Sequence, residues 1–148
     1  MDSYEMKALV LRLTEEVWNL GHLAVIDELL SPGFVNHDPA YPLVQTRDEL
    51  KAHIVDLRTS YPDFWVEHQD FIAEANKVVM RWQLGGTQMG SLSTLGVPPT
   101  GRHITLTGVT IYHWKASRLT ESWWYWDQLN LLQQLGAFHA PDALLAAV

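Results

Sequence analysis

The 148-residue chain contains no cysteine, which excludes disulfides, thiol nucleophiles and thiolate metal sites together. Basic residues are also scarce: 10 Lys and Arg stand against 17 Asp and Glu, a formal charge of −7. That balance offers no electrostatic footprint for nucleic acid or for an anionic membrane surface. No apolar run approaches the ~18 residues of a membrane span. Met1-Asp2-Ser3-Tyr4-Glu5 lacks the basic segment and apolar stretch of a secretory signal, so the expected location is cytoplasmic. No histidine shows a spacing such as His-x-x-x-His, so neither a metal nor a cofactor is expected. The glycines at 85, 86, 90 and 101 lack the strand-to-helix context of a phosphate cradle, and Ser91, Ser93 and Thr94 lack that of a serine nucleophile.

Tryptophan, by contrast, is plentiful. The chain has seven, and Trp123, Trp124 and Trp126 crowd into one short segment. Large aromatics build cores, interfaces and pocket walls alike. Apolar residues make up 47% and charged residues 18% of the sequence, as in a compact globular protein. The whole chain, 1–148, reads as one domain, since about 100–200 residues per domain is usual. Alternate Trp on a strand also predicts a homo-oligomer, dimer or tetramer, because monomers seldom expose large apolar patches.

The first third has helical spacing. Leu9, Val10, Leu13, Val17, Trp18 and Leu20 recur with that period from Met6 to Leu20, and Gly21 offers a left-handed cap. A short helix from His22 to Leu30 ends at Ser31-Pro32-Gly33, and Phe34 to Pro42 reads as loop. Thr46-Arg47-Asp48-Glu49 is a capping box that opens a helix over Arg47 to Ser60. Beyond Tyr61-Pro62-Asp63 the period changes to two. Four strands are predicted: Phe64 to Glu74, Lys77 to Gly85, His103 to Lys115 and Arg118 to Leu129. A Gly/Ser/Pro-rich loop spans Gly86 to Gly101, a short helix Leu131 to Leu135, and a loosely held tail 137–148. Helices first and antiparallel strands after predict an α+β fold, a curved sheet with helices on one side.

Several segments occur in a recognisable order: Asn36-His37-Asp38-Pro39, Tyr61-Pro62-Asp63, Gly96-Val97-Pro98-Pro99-Thr100-Gly101-Arg102, Thr107-Gly108, Leu119-Thr120-Glu121-Ser122-Trp123, and Trp126-Asp127-Gln128-Leu129 through Leu132-Gln133-Gln134-Leu135-Gly136. Over residues 34–136 the chain resembles the SnoaL-like polyketide cyclases of the nuclear-transport-factor-2-like superfamily. The resemblance implies a cone-shaped fold, a curved antiparallel sheet with N-terminal helices packed over it around an apolar pocket. Several members close the last ring of an aromatic polyketide by intramolecular aldol condensation, without cofactor or metal. An Asp on the last strand acts as acid/base there, and a His on the preceding strand assists. By position these are Asp127 and His113. Where relatives often read Gly-Thr-His, this chain has Gly86-Thr87-Gln88.

The residues themselves leave each role with an alternative. Asp127 follows Trp123, Trp124, Tyr125 and Trp126, and aromatic surroundings raise a carboxyl's pKa toward acid/base use. The other reading is a strand-end Asp that caps the next turn. If the last hairpin turns at Ala116-Ser117, Lys115 faces Arg118, Asp127 lies across from Leu106, and His113 lies across from Thr120. Alternation then points His113 away from Asp127, and only a β-bulge brings them to one face. Without the bulge, Thr110 and Tyr112 share the face of Asp127, and His113 is a surface histidine. His37 and Asp38 are read either as contacts at the pocket mouth or as a loop pair capping backbone amides. Trp18, Trp82, Trp123 and Tyr125 are the expected wall residues.

The expected activity is acid/base catalysis on a polyketide-like or other carbonyl-containing hydrophobic molecule. The alternatives are an epoxide hydrolase or isomerase on the same scaffold, and a non-catalytic binding or dimerisation module, since one fold hosts all of these.

Overall fold

The computed structural model describes residues 1–92 and 96–138. Ser93, Thr94 and most of the expected tail therefore lie outside the described residues. Asp2 opens α1 (Ser3–Arg12) with a capping box, its carboxylate accepting from the Glu5 amide while Glu5 accepts from the Asp2 amide. The helical run then widens into a π-helical segment, Leu13–Asn19. It closes at Gly21, whose φ of 73° is the left-handed conformation expected of it. Asn19 ties this end to the sheet: its amide donates to the Val66 carbonyl at 2.8 Å and its oxygen accepts from the Val66 N–H at 2.8 Å. Arg58 donates to the carbonyls of Trp18 and Asn19 at 2.8 and 2.6 Å, satisfying groups the helix end leaves open.

α2 (Ala24–Leu29) leads directly into β1 (Leu30–His37), which the sequence reading assigned to helix end and loop. Pro32 and Gly33 disguise this strand. They fall where its pairing with β5 is irregular, between Leu30 opposite Leu119 and Val35 opposite Glu121. α3 (Arg47–Ser60) is capped by Thr46 and Glu49 as expected. There follow β2 (Trp65–Glu74), β3 (Lys77–Thr87), β4 (His103–Lys115), β5 (Arg118–Trp126) and α4 (Gln128–Gln134). The five strands lie in the order β1-β5-β4-β3-β2. β1 pairs parallel to β5, so the sheet is mixed rather than antiparallel throughout, and it is not closed.

The helices cover one face of this curved sheet, and the core lies between them. Met6, Val10, Val17, Ile26, Leu30 and Ile54 meet Val78, Met80, Trp82, Tyr112 and Trp114 there, all of them buried. Gly108 is required by close approach: a Cβ there would lie 2.3 Å from the Trp82 ring, which crosses the β4 backbone and donates Nε1–H to Thr110 at 2.9 Å. Gln88 is fully buried. It staples the loop after β3 by donating to the carbonyls of Gly90 and Pro98 and accepting from Thr100.

Candidate functional site

One residue in β5 decides which side chains face the helices. β4 and β5 begin in the expected register, Lys115 opposite Arg118 and Trp114 opposite Leu119. The register then slips, and His113 faces Glu121, leaving Thr120 as the extra residue of a β-bulge. Every later residue of β5 is turned over. Ser122, Trp124 and Trp126 point inward against Tyr112, Thr110 and Gly108, while Glu121, Trp123 and Tyr125 point outward. The bulge considered above is therefore present; it sends Trp123 to the outer face, where His113 of β4 lies in either register.

The inner face encloses a cavity of about 80 Å³, measured as room for the centre of a water molecule. That is several times the ~10–15 Å³ one water needs, so a small organic molecule has a place to enter. Trp18, Trp82, Trp124 and Trp126 form much of its wall, with Leu50, Leu57, Phe64, Ile104 and Leu106. Trp18 packs 5.0 Å from Trp124 and 6.5 Å from Phe64, so the π-helical segment delivers it to the middle of this wall. Tyr112 is buried behind Trp124, edge-on at 6.3 Å, and lines a smaller recess rather than the main cavity.

Few polar groups reach this space. Asn36 is satisfied, donating to the Val44 carbonyl and accepting from Ser122. Asp38 stands just past the end of β1 with its carboxylate accepting from Trp126 Nε1 at 3.0 and 3.2 Å and from the Ala40 N–H at 2.9 Å. Burial pushes the Asp38 carboxyl above the usual range, and those hydrogen bonds oppose the rise. Tyr41 follows on the same loop, its ring 6.0 Å from Trp126 and 4.5 Å from His53. Burial holds the Tyr41 phenol far above its ordinary value, and the neighbouring Tyr61 and Asp38 add to the effect. His53, nearly two turns past the start of α3, has its ring edge-on to Trp18 at 6.4 Å. Desolvation lowers its pKa to about 4, so the imidazole is neutral near pH 7. Tyr61 is buried with its hydroxyl unpartnered among the described residues, and its phenol is pushed up to about 12.

Of the residues expected at the site, Asp38, Trp18 and Trp82 line the cavity. Asp127 does not. It is exposed, and its carboxylate caps α4 by accepting from the Asn130 N–H at 2.9 Å, so the aromatic enclosure expected around it is absent. His113 lies on the outer face with its ring 4.4 Å from Trp123. His37 stacks on the other side of the same indole at 5.0 Å, and its Nε2 is 2.5 Å from Glu121 Oε2. Trp123 and Tyr125 are outside for the reason given by the bulge, and Trp124 and Trp126 take the wall positions foreseen for them. His53 and Tyr41 were missed as site residues. A single His on an amphipathic helix face gives no signal of its own, although its spacing from Leu50, Ile54 and Leu57 put it beside the core stripe. Among the described residues no cluster of three potential ligands is arranged to hold a metal ion.

A cone of helices closing one face of a bent, open, mixed sheet over an apolar cavity defines a nuclear-transport-factor-2-like protein. Within that class the chain belongs to the SnoaL-like polyketide cyclase family, whose model matches residues 8–135. It is similar in structure to TsrD from Streptomyces laurentii, with a TM-score of 0.82 at 25% identity, over 93% of this chain and 99% of that one. A protein of Acidithiobacillus ferrooxidans, proposed to be a polyketide cyclase, aligns with a TM-score of 0.79 at 30% identity, over 92% and 97% of the two chains. IdmH from Streptomyces antibioticus, also proposed to be a polyketide cyclase, aligns with a TM-score of 0.74 at 28% identity, over 88% and 97%. No curated protein sequence matches the chain. No helix among the described residues is long and apolar enough to cross a membrane.

Proposed function

We propose that the chain catalyses an intramolecular aldol-type ring closure of a hydrophobic, polyketide-like carbonyl compound, with Asp38 as the proton-transferring group. The observation that carries this reading is a desolvated carboxyl inside a mostly apolar, Trp-walled cavity. The carboxylate would take a proton from the carbon beside one carbonyl. The resulting enolate carbon attacks a second carbonyl of the same molecule, a C–C bond forms, and the new alkoxide takes the proton back from Asp38. Trp126 Nε1–H and the Ala40 N–H hold the carboxylate in place throughout. The walls would supply proximity by folding a flexible substrate toward closure. Asp38 is the one carboxylate lining the cavity among the described residues, and no arginine lines it, which favours this reaction over epoxide opening by an Asp-Arg-Asp set.

The position of Asp127 in the family's motif makes it the rival, and one pair of variants separates the two. Asp38→Asn should lower turnover of a diketone ring-closure substrate by about 10²–10⁴, the usual share of a positioned acid/base, while leaving binding in place. Asp127→Asn should leave turnover near wild type, since Asn caps a helix about as well as Asp. Loss of turnover in Asp127→Asn with retention in Asp38→Asn would reverse the assignment.

We also infer that the outer sheet face carries a homo-oligomeric contact, because Tyr125 (52% exposed) and Val35 (37%) leave an apolar area around Trp123. Sedimentation of Tyr125→Lys against wild type tests it, the variant being expected to run smaller.

A further inference from the structure

His53 is a polar group in the cavity that the ring-closure scheme leaves unused. It sits on α3, on the helical side of the cavity, whereas Asp38 follows β1 on the sheet side. Its ring is clamped, with Trp18 edge-on at 6.4 Å and Tyr41 at 4.5 Å, so its orientation is set before a ligand arrives. It makes no hydrogen bond to another described residue, and its nitrogens are not among the buried polar atoms sealed without a partner. The Tyr41 hydroxyl shares this condition, and the remaining polar side chains discussed above do not. Asn36 and Asp38 are occupied by protein partners, and the Tyr61 hydroxyl is closed off from the cavity space. A clamped, unoccupied imidazole in an apolar cavity is the arrangement of a ligand-orienting group: few polar atoms, precisely placed, among hydrophobic walls.

We propose that His53 is the specificity-determining contact of this cavity, donating its ring N–H to the carbonyl oxygen of the bound molecule and so turning that carbonyl away from Asp38 and toward α3. The proposal rests on the reading of the cavity as a site for carbonyl compounds. The groups around the ring keep it a neutral donor: Trp18 from the helical run and Tyr41 from the loop bear no charge near pH 7. Asp56, on its own helix, is the carboxylate that pulls the other way, and burial outweighs it. A neutral imidazole keeps one N–H and one bare nitrogen, so a ligand hydroxyl could use the second where a carbonyl uses the first.

The test is binding, read by quenching of the cavity tryptophans, with two probes that differ by one carbonyl: 1-indanone and indane. The wild type should prefer 1-indanone by about tenfold, the usual worth of one hydrogen bond. His53→Leu should bring the two probes within about twofold while indane binding holds. His53→Gln, which restores an N–H, should recover part of the preference, whereas a role in packing alone would predict no recovery. Tyr41→Phe should keep the preference. Retention of the preference in His53→Leu, or its loss in Tyr41→Phe, overturns the proposal while the cavity reading stands. Equal binding of both probes by the wild type also overturns it. Binding of neither probe removes the cavity reading, and this proposal falls with it.

Discussion

The two faces of the sheet near β5 carry the same side-chain chemistry and put it to opposite use. Inside, Asp38 stands beside Trp126, and His53 packs against Trp18; outside, Glu121 meets His37, and His37 and His113 flank Trp123. The inner groups are desolvated, and both titrating side chains are displaced toward their uncharged forms. The outer acid and base satisfy each other while 37% and 42% of their side-chain surfaces stay exposed. A carboxylate, an imidazole and an indole within reach of one another therefore do not define a site. The dielectric around them does, and here one inserted residue, Thr120, decides which side chains of β5 receive it.

Adding a second extra residue beside it is the most drastic way to break the contrast. An alanine inserted between Thr120 and Glu121 would take the place opposite His113 and shift the rest of β5 by one residue, driving Glu121 against Tyr112 and Trp123 against Thr110 while expelling Trp124 and Trp126. Burial of an unpaired carboxylate and loss of two wall tryptophans should cost on the order of 5 kcal/mol or more, beyond the ordinary range of single changes. Urea denaturation with near-ultraviolet circular dichroism reads the outcome; a near-native midpoint would show that β5 tolerates either register. Next in size is a matched truncation. Trp82→Ala, at 2% exposure, should lose about 3–5 kcal/mol. Trp123→Ala, on the outer face, should stay within about 1 kcal/mol. Similar losses in the two would deny that the faces differ.

The third prediction uses pH. The folded pKa of His53, about 4, lies below its ordinary value of 6.5, so the unfolded chain takes up the proton first as pH falls. His53 thus weighs against folding as pH drops from about 6.5 to about 4, by an amount on the order of 3 kcal/mol at the acid end. Asp38 runs the other way. Its carboxyl is held above the ordinary range, so ionisation costs stability at neutral pH, and protonation in acid removes that cost. Stability of His53→Gln minus that of wild type, followed from pH 7 to pH 4, should rise steadily. A flat difference would mean that the His53 ring is solvated.

How much of this was legible in the sequence follows from the range of each signal. α3, β4 and the paired positions at the tight end of the last hairpin were readable because capping boxes, alternation and turn residues are local. The family resemblance supplied the cone and the cavity. β1 was not readable, since its parallel partner β5 is some ninety residues away and Pro32-Gly33 imitates a stop. The bulge was recognised as the deciding question, but Thr120 looks like any other strand threonine, and nothing local marks it as the extra residue. Trp123, Tyr125 and Asp127 were therefore placed on the wall as a set, by one parity, and they left it as a set. Asp38 lines the cavity independently of that parity, because it lies beyond β1 rather than on β5.

The smallest expected effect tests the outer face. Glu121→Gln removes the charge from the contact with His37 while keeping a side chain of the same shape in the same place. Both partners are more than a third exposed, so solvent screens the pair and side-chain ordering offsets much of the attraction. The loss should be about 0.5 kcal/mol at low salt and smaller still near 1 M salt, where the screening length shrinks to about 3 Å. Stacking of His37 on Trp123 needs no charge and should persist, so Trp fluorescence should change little. A salt-insensitive loss of 2 kcal/mol or more would mean that the pair is covered in solution. The natural cover is a second copy of the chain across this face, and the contrast with the cavity would then be one between two buried surfaces, only one of them open to a ligand.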